Sequence, residues 1–469
     1  MPVRSPALTS QRWQRLIPVA FITYSFAYLD RSNYSISAAG GLDTRLHISS
    51  AQSGLLGGLF FIGYFLFQVP AGSFAERRSV KTLLFWALCA WGVLAALQGA
   101  ITTYWLLAAD RFLLGVVEAV VLPGMLVFLA HWFTRAERGR ADTFLILGNP
   151  VTLLWMSVVS GYLAAAVGYR WMFVIEGLPA IAWAFVFRRL ADDRPQDAAW
   201  LGDGEREKIE QALTAEQRDL PDPRGIREVI RSWNVVVLAA QYFLWSVGVY
   251  GLVFWLPSIV KHLTGQGIAT SGLLSAVPYA AAVIAMIAVS AASDRRGSRR
   301  VFVWVPLGVA AVCFAVSYLA RGSTFTTAFV LLILAAAAMY APYGPYFAYI
   351  TELLPAADAA PATGMINAFG GLGGFVGTYI VGALGGGTSA VPFVFLAACL
   401  FVAALLMFVV RPPGQMARWG DDRGAGPASQ RRQGGWVRGA GAGDGAAGGD
   451  QVGAAAPGGA AAQKEVKGT

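Results

Sequence analysis

The sequence predicts an all-α polytopic membrane protein with twelve transmembrane helices in two pseudo-symmetric six-helix halves. Three observations predict it. Long apolar windows recur throughout: 56% of the 469 residues are hydrophobic and 13% are charged, where a soluble chain carries about a quarter charged residues. Basic residues crowd alternate loops. One long polar stretch divides the apolar windows six from six.

A bilayer core takes about 20 apolar residues per helix. On that ruler the first half comprises 16–38, 52–74, 82–101, 104–132, 141–167 and 170–189. The second comprises 234–261, 270–292, 300–319, 325–349, 361–385 and 388–410. Residues 1–15 read as a cytoplasmic N-terminus. Arg4, Arg12 and Arg15 precede an apolar run too long for a signal peptide, so the first span is a retained anchor. Residues 16–189 form the N-terminal six-helix bundle, and 190–233 a cytoplasmic linker in which "DGEREKIEQALTAEQ" reads as a short surface helix. Residues 234–410 form the C-terminal bundle. The tail, 411–469, is rich in Gly, Ala, Gln and Arg without hydrophobic periodicity, and is expected to be disordered and cytoplasmic. "GGLGGFVGTYIVGALGGG" gives span 11 a smooth face for close helix approach. Pro123, Pro150, Pro257, Pro278, Pro342 and Pro345 mark kinks.

The net charge of +9 is an orientation signal, with no nucleic-acid partner implied. Arg77, Arg78 and Lys81, then Arg135, Arg138 and Arg140, then Arg295, Arg296, Arg299 and Arg300 lie in loops on one side, and the stretch 188–233 adds nine more cations. By the positive-inside rule both termini are cytoplasmic. Cys89, Cys313 and Cys399 sit far apart inside spans, which argues against a disulfide or a metal site, and the three histidines lack ligand spacing.

Two cations lie inside spans rather than at their ends: Arg31, in "YLDRSNYS", and Arg111. A mid-bilayer charge costs on the order of 3 kcal/mol even on lenient scales, so each faces a partner or a watery cavity. Tyr24, Tyr28 and Arg31 share one helix face. Asp30 points about 100° away, toward another helix. Arg111 and Glu118 are two turns apart on one face of span 4. Moving an arginine away from a buried Glu118, or occupying it with an anion, favours the protonated carboxyl. The alternative is an ion pair that only locks helices 1 and 4. Tyr64, Asn149 and Asn367 are neutral polar residues inside spans 2, 5 and 11. Glu176 reads as a structural hydrogen-bond anchor and Glu352 as a brace for the loops.

The halves echo each other: aligning Glu76 with Asp294 superposes "ERR" of "GSFAERRSVK" on "DRR" of "SAASDRRGSRR", an offset of 218 residues. Paired six-span halves mark many carrier folds, with the substrate near the midplane between them. With its loop pattern Gly72, Glu76, Arg77, Arg78 and Lys81, the chain resembles the major facilitator superfamily. Glu replaces the usual Asp, and Ser79 the usual Gly. "RFLLGVVEAVVLPGM", "HWFTRAERGRA", "WMFVIEGLPA" and "VYGLVFWLPS" are similar to landmarks of its anion:cation symporter branch. "FITYSFAYLDRSNYS", "FLILGNPVTLLWMSVVSGYL" and "MYAPYGPYFAYITELLP" look most like bacterial 2-ketogluconate transporters.

The resemblance implies the major facilitator fold in a bacterial inner membrane, importing a small organic anion with protons as the coupling ion and no other cofactor. It implies Arg31, Tyr64, Asn149 and Asn367 as substrate contacts, and Asp30 and Glu118, with Arg111, in proton coupling. Gly72, Glu76, Arg77, Lys81, Asp294 and Arg295 would form the loop motifs that brace conformations. Where some branch members carry a second Asn on span 11, this chain has Gly371. Galactonate, glucarate, tartrate or phthalate are alternative substrates. Drug:proton antiport fits poorly, because Arg31 suits anions. A non-transporting nutrient receptor lacks a signalling module here, and an enzyme lacks any nucleophile–base pair, metal cluster or phosphate loop. A monomer is expected.

Overall fold

A computed structural model describes residues 11–218, 226–320, 322, 324–354 and 356–411, so the expected tail beyond 411 lies outside the described residues. The described residues are helical, with no strand among them. The first half contains α1 (Gln11–Ser37), α2 (Ser50–Arg77), α3 (Val80–Leu97), α4 (Tyr104–Glu118), α5 (Val121–Trp132) and α6 (Arg135–Leu190). A linker helix, α7 (Asp203–Arg218), follows. The second half contains α8 (Trp233–Thr264), α9 (Ile268–Arg296), α10 (Val301–Leu319), α11 (Phe325–Tyr340), α12 (Tyr343–Leu353), α13 (Ala356–Ala383) and α14 (Val391–Leu406).

Among the described residues, nine helices are long and apolar enough to cross a membrane by length and composition alone. Twelve crossings arise for three local reasons. The 56-residue α6 is broken by Gly168, the one non-helical residue inside it (φ 79°, ψ 160°), which separates the predicted spans five and six. A positive φ of this kind suits glycine, which has no Cβ to clash. The 16-residue α14 is short for a span. The polar tyrosines, serines, Asp30 and Arg31 of α1 dilute its apolar length. Spans four and ten are each one crossing interrupted near the middle, between α4 and α5 and between α11 and α12.

Helix ends follow from local chemistry. Ser49 and Gln52 form a reciprocal capping box at the start of α2, and Thr134 and Glu137 do so at α6. Gly265 and Gly297 close α8 and α9 in the left-handed region. Outward faces carry large apolar side chains such as Trp105 (78% exposed) and Leu319 (77% exposed), a surface that only lipid would cover.

The halves meet along α2 with α13 and along α6 with α9, while α1 touches α8. Spans two and eleven, and spans five and eight, thus exchange roles under a pseudo-two-fold, as repeat-built carriers do. Their closest approaches lie at the end remote from the linker. There α1 runs into a π-helical turn, Ala38–Leu42, and Lys261 Nζ of α8 donates to the Ala39 carbonyl at 2.6 Å. A Cβ on Gly161 of α6 would stand 3.0 Å from Gly272 Cα on α9. Gly161→Val is therefore expected to wedge the halves apart at this end. Overpacking of about 1–3 kcal/mol cuts uptake roughly tenfold or more without loss of folded protein; wild-type uptake at wild-type expression would refute it.

Outside the spans, Asp43 accepts from Ser53 Oγ at 3.0 Å. Burial pushes its carboxyl up to about 6, with the Ser53 bond opposing. A carboxyl raised in the folded state stabilises below its unfolded value near 3.9, and that contribution is lost as pH climbs to about 6. Asp43→Asn should raise the thermal unfolding temperature at pH 8, with the gain gone by pH 4. An equal shift at both pH values would contradict this.

At the linker end, Lys81 pairs with Asp192 at 3.1 Å, and its backbone N–H donates to Asp193 at 2.7 Å. Trp132 and Trp200 stack at 5.4 Å, fastening the linker to the first half. Gly72 faces Pro123 on α5. The side chains of Glu76 and Arg77 lie outside the described residues. In the second loop Asp294 and Glu352 both bind Arg299, a residue beyond the expected motif, because Arg299 sits past the Gly297 turn that folds it back over α9.

Candidate functional site

Four members of "YLDRSNYS" line a single cavity: Tyr28, Arg31, Ser32 and Ser35, spaced as one helix face. In this conformation the cavity between the halves is tight, about 20 Å³, room for one water. Gly57, Phe61 and Leu153 complete the first-half wall, and Tyr250, Phe254, Tyr340 and Thr378 contribute from the second half. The Tyr28 and Tyr250 hydroxyls approach to 3.4 Å, so the two halves touch across it.

Arg31 is buried at the cavity wall. Its Nη2 and Nε donate to Glu118 Oε2 at 3.2 and 3.4 Å. The guanidinium also lies over the rings of Tyr28 (4.7 Å), Tyr64 (4.7 Å) and Phe60 (5.0 Å). Such contacts contribute about 0.5–2 kcal/mol each where water is excluded. A flat cation with five N–H donors fits this arrangement, as the compact ammonium of lysine would not. Glu118 has no exposed surface, and its second oxygen, Oε1, has no hydrogen-bond partner. The carboxylate thus holds the arginine with one oxygen and leaves donors free for a second anion.

Arg111 does not join this pair. Seven residues of helix separate it from Glu118 by about 10 Å of rise, and α4 ends at Glu118. Arg111 instead donates Nε to the Leu56 carbonyl at 3.5 Å and lies over Tyr34 (4.9 Å) and over the site's Phe60 (5.4 Å).

The neutral candidates separate. The Tyr64 hydroxyl is within hydrogen-bonding reach of Arg31 and of Asn367 on α13, and it accepts from Gln68 Nε2 at 3.4 Å. Tyr64 therefore adjoins the guanidinium and Asn367 adjoins Tyr64, and neither lines the cavity. Gly371 faces the Tyr64 ring: a Cβ there would sit 3.4 Å from Cδ1, so an amide side chain would crowd the tyrosine that supports Arg31. Asn149 is buried on α6, with no partner for its amide oxygen, and is not part of the cavity wall. Asp30 points away from the cavity and accepts from Asn33 Nδ2 at 3.4 Å. Sequence reasoning passed over Tyr250, Ser32, Ser35 and Thr378. A helical wheel centred on Arg31 finds the two serines; Tyr250 and Thr378 become visible only when the halves are docked. Among the described residues no group of three or more His, Cys, Asp or Glu could hold a metal ion.

A family model described as Major Facilitator Superfamily matches residues 20–378 and 259–434. A putative tartrate transporter of Agrobacterium vitis is 30% identical over 411 residues, covering 84% of this chain and 89% of that protein. The putative metabolite transport protein NicT of Pseudomonas putida is 30% identical over 339 residues, covering 71% of this chain and 77% of its own. Among solved structures, a bacterial homolog of the human lysosomal transporter Spinster, inward-facing and occupied, superposes with a TM-score of 0.68 at 17% identity. It covers 86% of this chain and 97% of that one.

Proposed function

This chain belongs to the Major Facilitator Superfamily, and from that premise we propose that it imports a small hydroxylated organic monoanion, a sugar acid such as 2-ketogluconate, together with protons. It is a transporter and not an enzyme. The observation that carries the substrate reading is the single guanidinium at a cavity shared by both halves, held by one carboxylate and framed by hydroxyls. Arg31 is the one cation among the residues lining the cavity. A monocarboxylate entering there competes with Glu118 for it. Tyr28, Ser32, Ser35, Tyr250 and Tyr340 supply hydroxyls along the same wall.

Once Arg31 turns to the substrate, Glu118 is a lone carboxylate in a site closed to water. It then takes a proton, because a buried unpaired charge costs far more than a neutral carboxyl. Binding of anion and proton thereby become one event. The halves touch most closely at the end remote from the linker, which supports an inward-facing state with the termini in the cytoplasm. Rocking about the cavity would reverse the exposure.

Tartrate uptake is the second reading, favoured by the relative of that name. A dicarboxylate calls for two cations, and Arg111 stands outside the cavity wall, which favours the monoanion. Proteoliposomes with an inward proton gradient test both. Accumulation of labelled 2-ketogluconate, competed by other sugar acids and not by tartrate, is the expected result. Tartrate alone being accumulated would select the second reading, and uptake indifferent to the proton gradient would remove symport.

A further inference from the structure

We propose that Phe60 is a positioning residue for transport: its ring is a common seat for both buried guanidiniums and keeps Arg31 at the cavity wall while that arginine exchanges Glu118 for the substrate carboxylate. The role rests on the carboxylate exchange proposed for Arg31 and deepens it. Phe60 is fully buried on α2 and is absent from the cavity wall, so it acts through the arginine and not on the substrate.

Among the described residues, Phe60 is the one ring that lies under two cations. The Arg31 guanidinium of α1 stands 5.0 Å from its centroid, and the Arg111 guanidinium of α4 stands 5.4 Å from it. The two arginines are unequally served. Arg31 has an ion-pair partner in Glu118. Arg111 has none among the described residues: its Nε donates to the Leu56 carbonyl, and its buried Nη1 has no hydrogen-bond partner. Asp110, Glu118 and Asp30 act on it only from beyond ion-pair reach. The faces of Tyr34 and Phe60 therefore do for Arg111 what a carboxylate does for Arg31.

The seat is fixed from behind. A Cβ on Gly115 of α4 would collide with the Phe60 carbonyl oxygen, and one on Gly63 of α2 with that of Phe112, so the two backbones touch here. Phe61, which does line the cavity, meets the Phe60 ring edge-on at 5.2 Å, and Tyr64 stacks on it at 6.0 Å. An aromatic face attracts a cation whatever anion that cation holds. During the exchange the hydrogen bonds to Glu118 break, while the ring contact persists. Movement of Arg31 across the ring would bring it toward the like charge of Arg111, so the pair of cations opposes that escape.

Ring electrostatics can be varied at nearly constant size. Full-length carrier is made by cell-free synthesis with Phe60 replaced by mono-, di- or trifluorinated phenylalanine or by cyclohexylalanine, and is reconstituted in proteoliposomes. Uptake of labelled 2-ketogluconate, with labelled tartrate in parallel, gives half-saturation and maximal rate separately, and thermal unfolding is followed alongside. The half-saturating concentration should climb with each fluorine, to about threefold with three and about tenfold with cyclohexylalanine, the scale of a buried cation–π contact. The maximal rate should stay near that of wild type. A half-saturation flat across the series overturns the proposal. So does a falling unfolding temperature with half-saturation unmoved, the mark of a ring that only packs. If cyclohexylalanine prevents folding, the fluorinated set still decides. Wild-type carrier that accumulates neither anion defeats the transport reading and this role with it; accumulation of either beside a flat series defeats the role of Phe60 alone.

Discussion

Arg31→Ala lowers uptake of a labelled sugar acid by about a hundredfold or more. The substituted carrier loses the charged hydrogen bonds that recognise the carboxylate, worth about 3 kcal/mol, and every 1.4 kcal/mol is tenfold in affinity. The loss has a second source. Glu118 accepts both of its hydrogen bonds from Arg31 on one oxygen and has none on the other, so removing the arginine strands a buried carboxylate at a cost of about 3–5 kcal/mol. Instability and lost recognition are separable in the double variant. Arg31→Ala with Glu118→Gln should recover folded protein and thermal stability while uptake stays at background. Arg31→Lys is expected to transport poorly as well, because an ammonium cannot span the Tyr28, Tyr64 and Phe60 rings and Glu118 together. Retention of uptake in Arg31→Ala at wild-type expression would reject the assigned role outright.

Glu118→Gln has the second large effect, of opposite sign for binding. An amide cannot neutralise Arg31, so the guanidinium waits for the substrate without a competitor. Affinity for the anion should tighten about tenfold, the gain expected when one charged hydrogen bond no longer has to be displaced. Counterflow exchange should persist across the pH range, whereas accumulation driven by a proton gradient should vanish. Isothermal titration at two pH values, set beside gradient-driven uptake, reads both. Proton-driven accumulation at the wild-type level would show that the coupling proton resides elsewhere.

Much of the fold was legible because lipid imposes it: a segment of adequate apolar length, flanked by cations on one side, has few alternatives to a crossing helix. The face of Arg31 was partly legible for the same local reason, since Tyr28 and Arg31 obey helical spacing, while Ser32 and Ser35 on that face went unnoticed. What sequence could not give was the partner of each charge. Sequence offered Glu118 two partners, Arg111 on its own helix or a cation across helices 1 and 4; the helix holds Arg111 two turns away, while tertiary packing delivers Arg31 to Glu118. Asn149 is a similar case: polarity inside a span marks it as special, and only packing decides that it is buried away from the cavity wall.

The single-residue break at Gly168 has a mechanical outcome. Two crossings joined by one non-helical residue have no slack between them, so they behave as a stiff yoke. Whatever nudges the arm bearing Gly161 at the seam with α9 must drag the arm bearing Glu176 along with it. A buried carboxyl on the far limb is then shifted in step with the seam, without any loop to absorb the stroke.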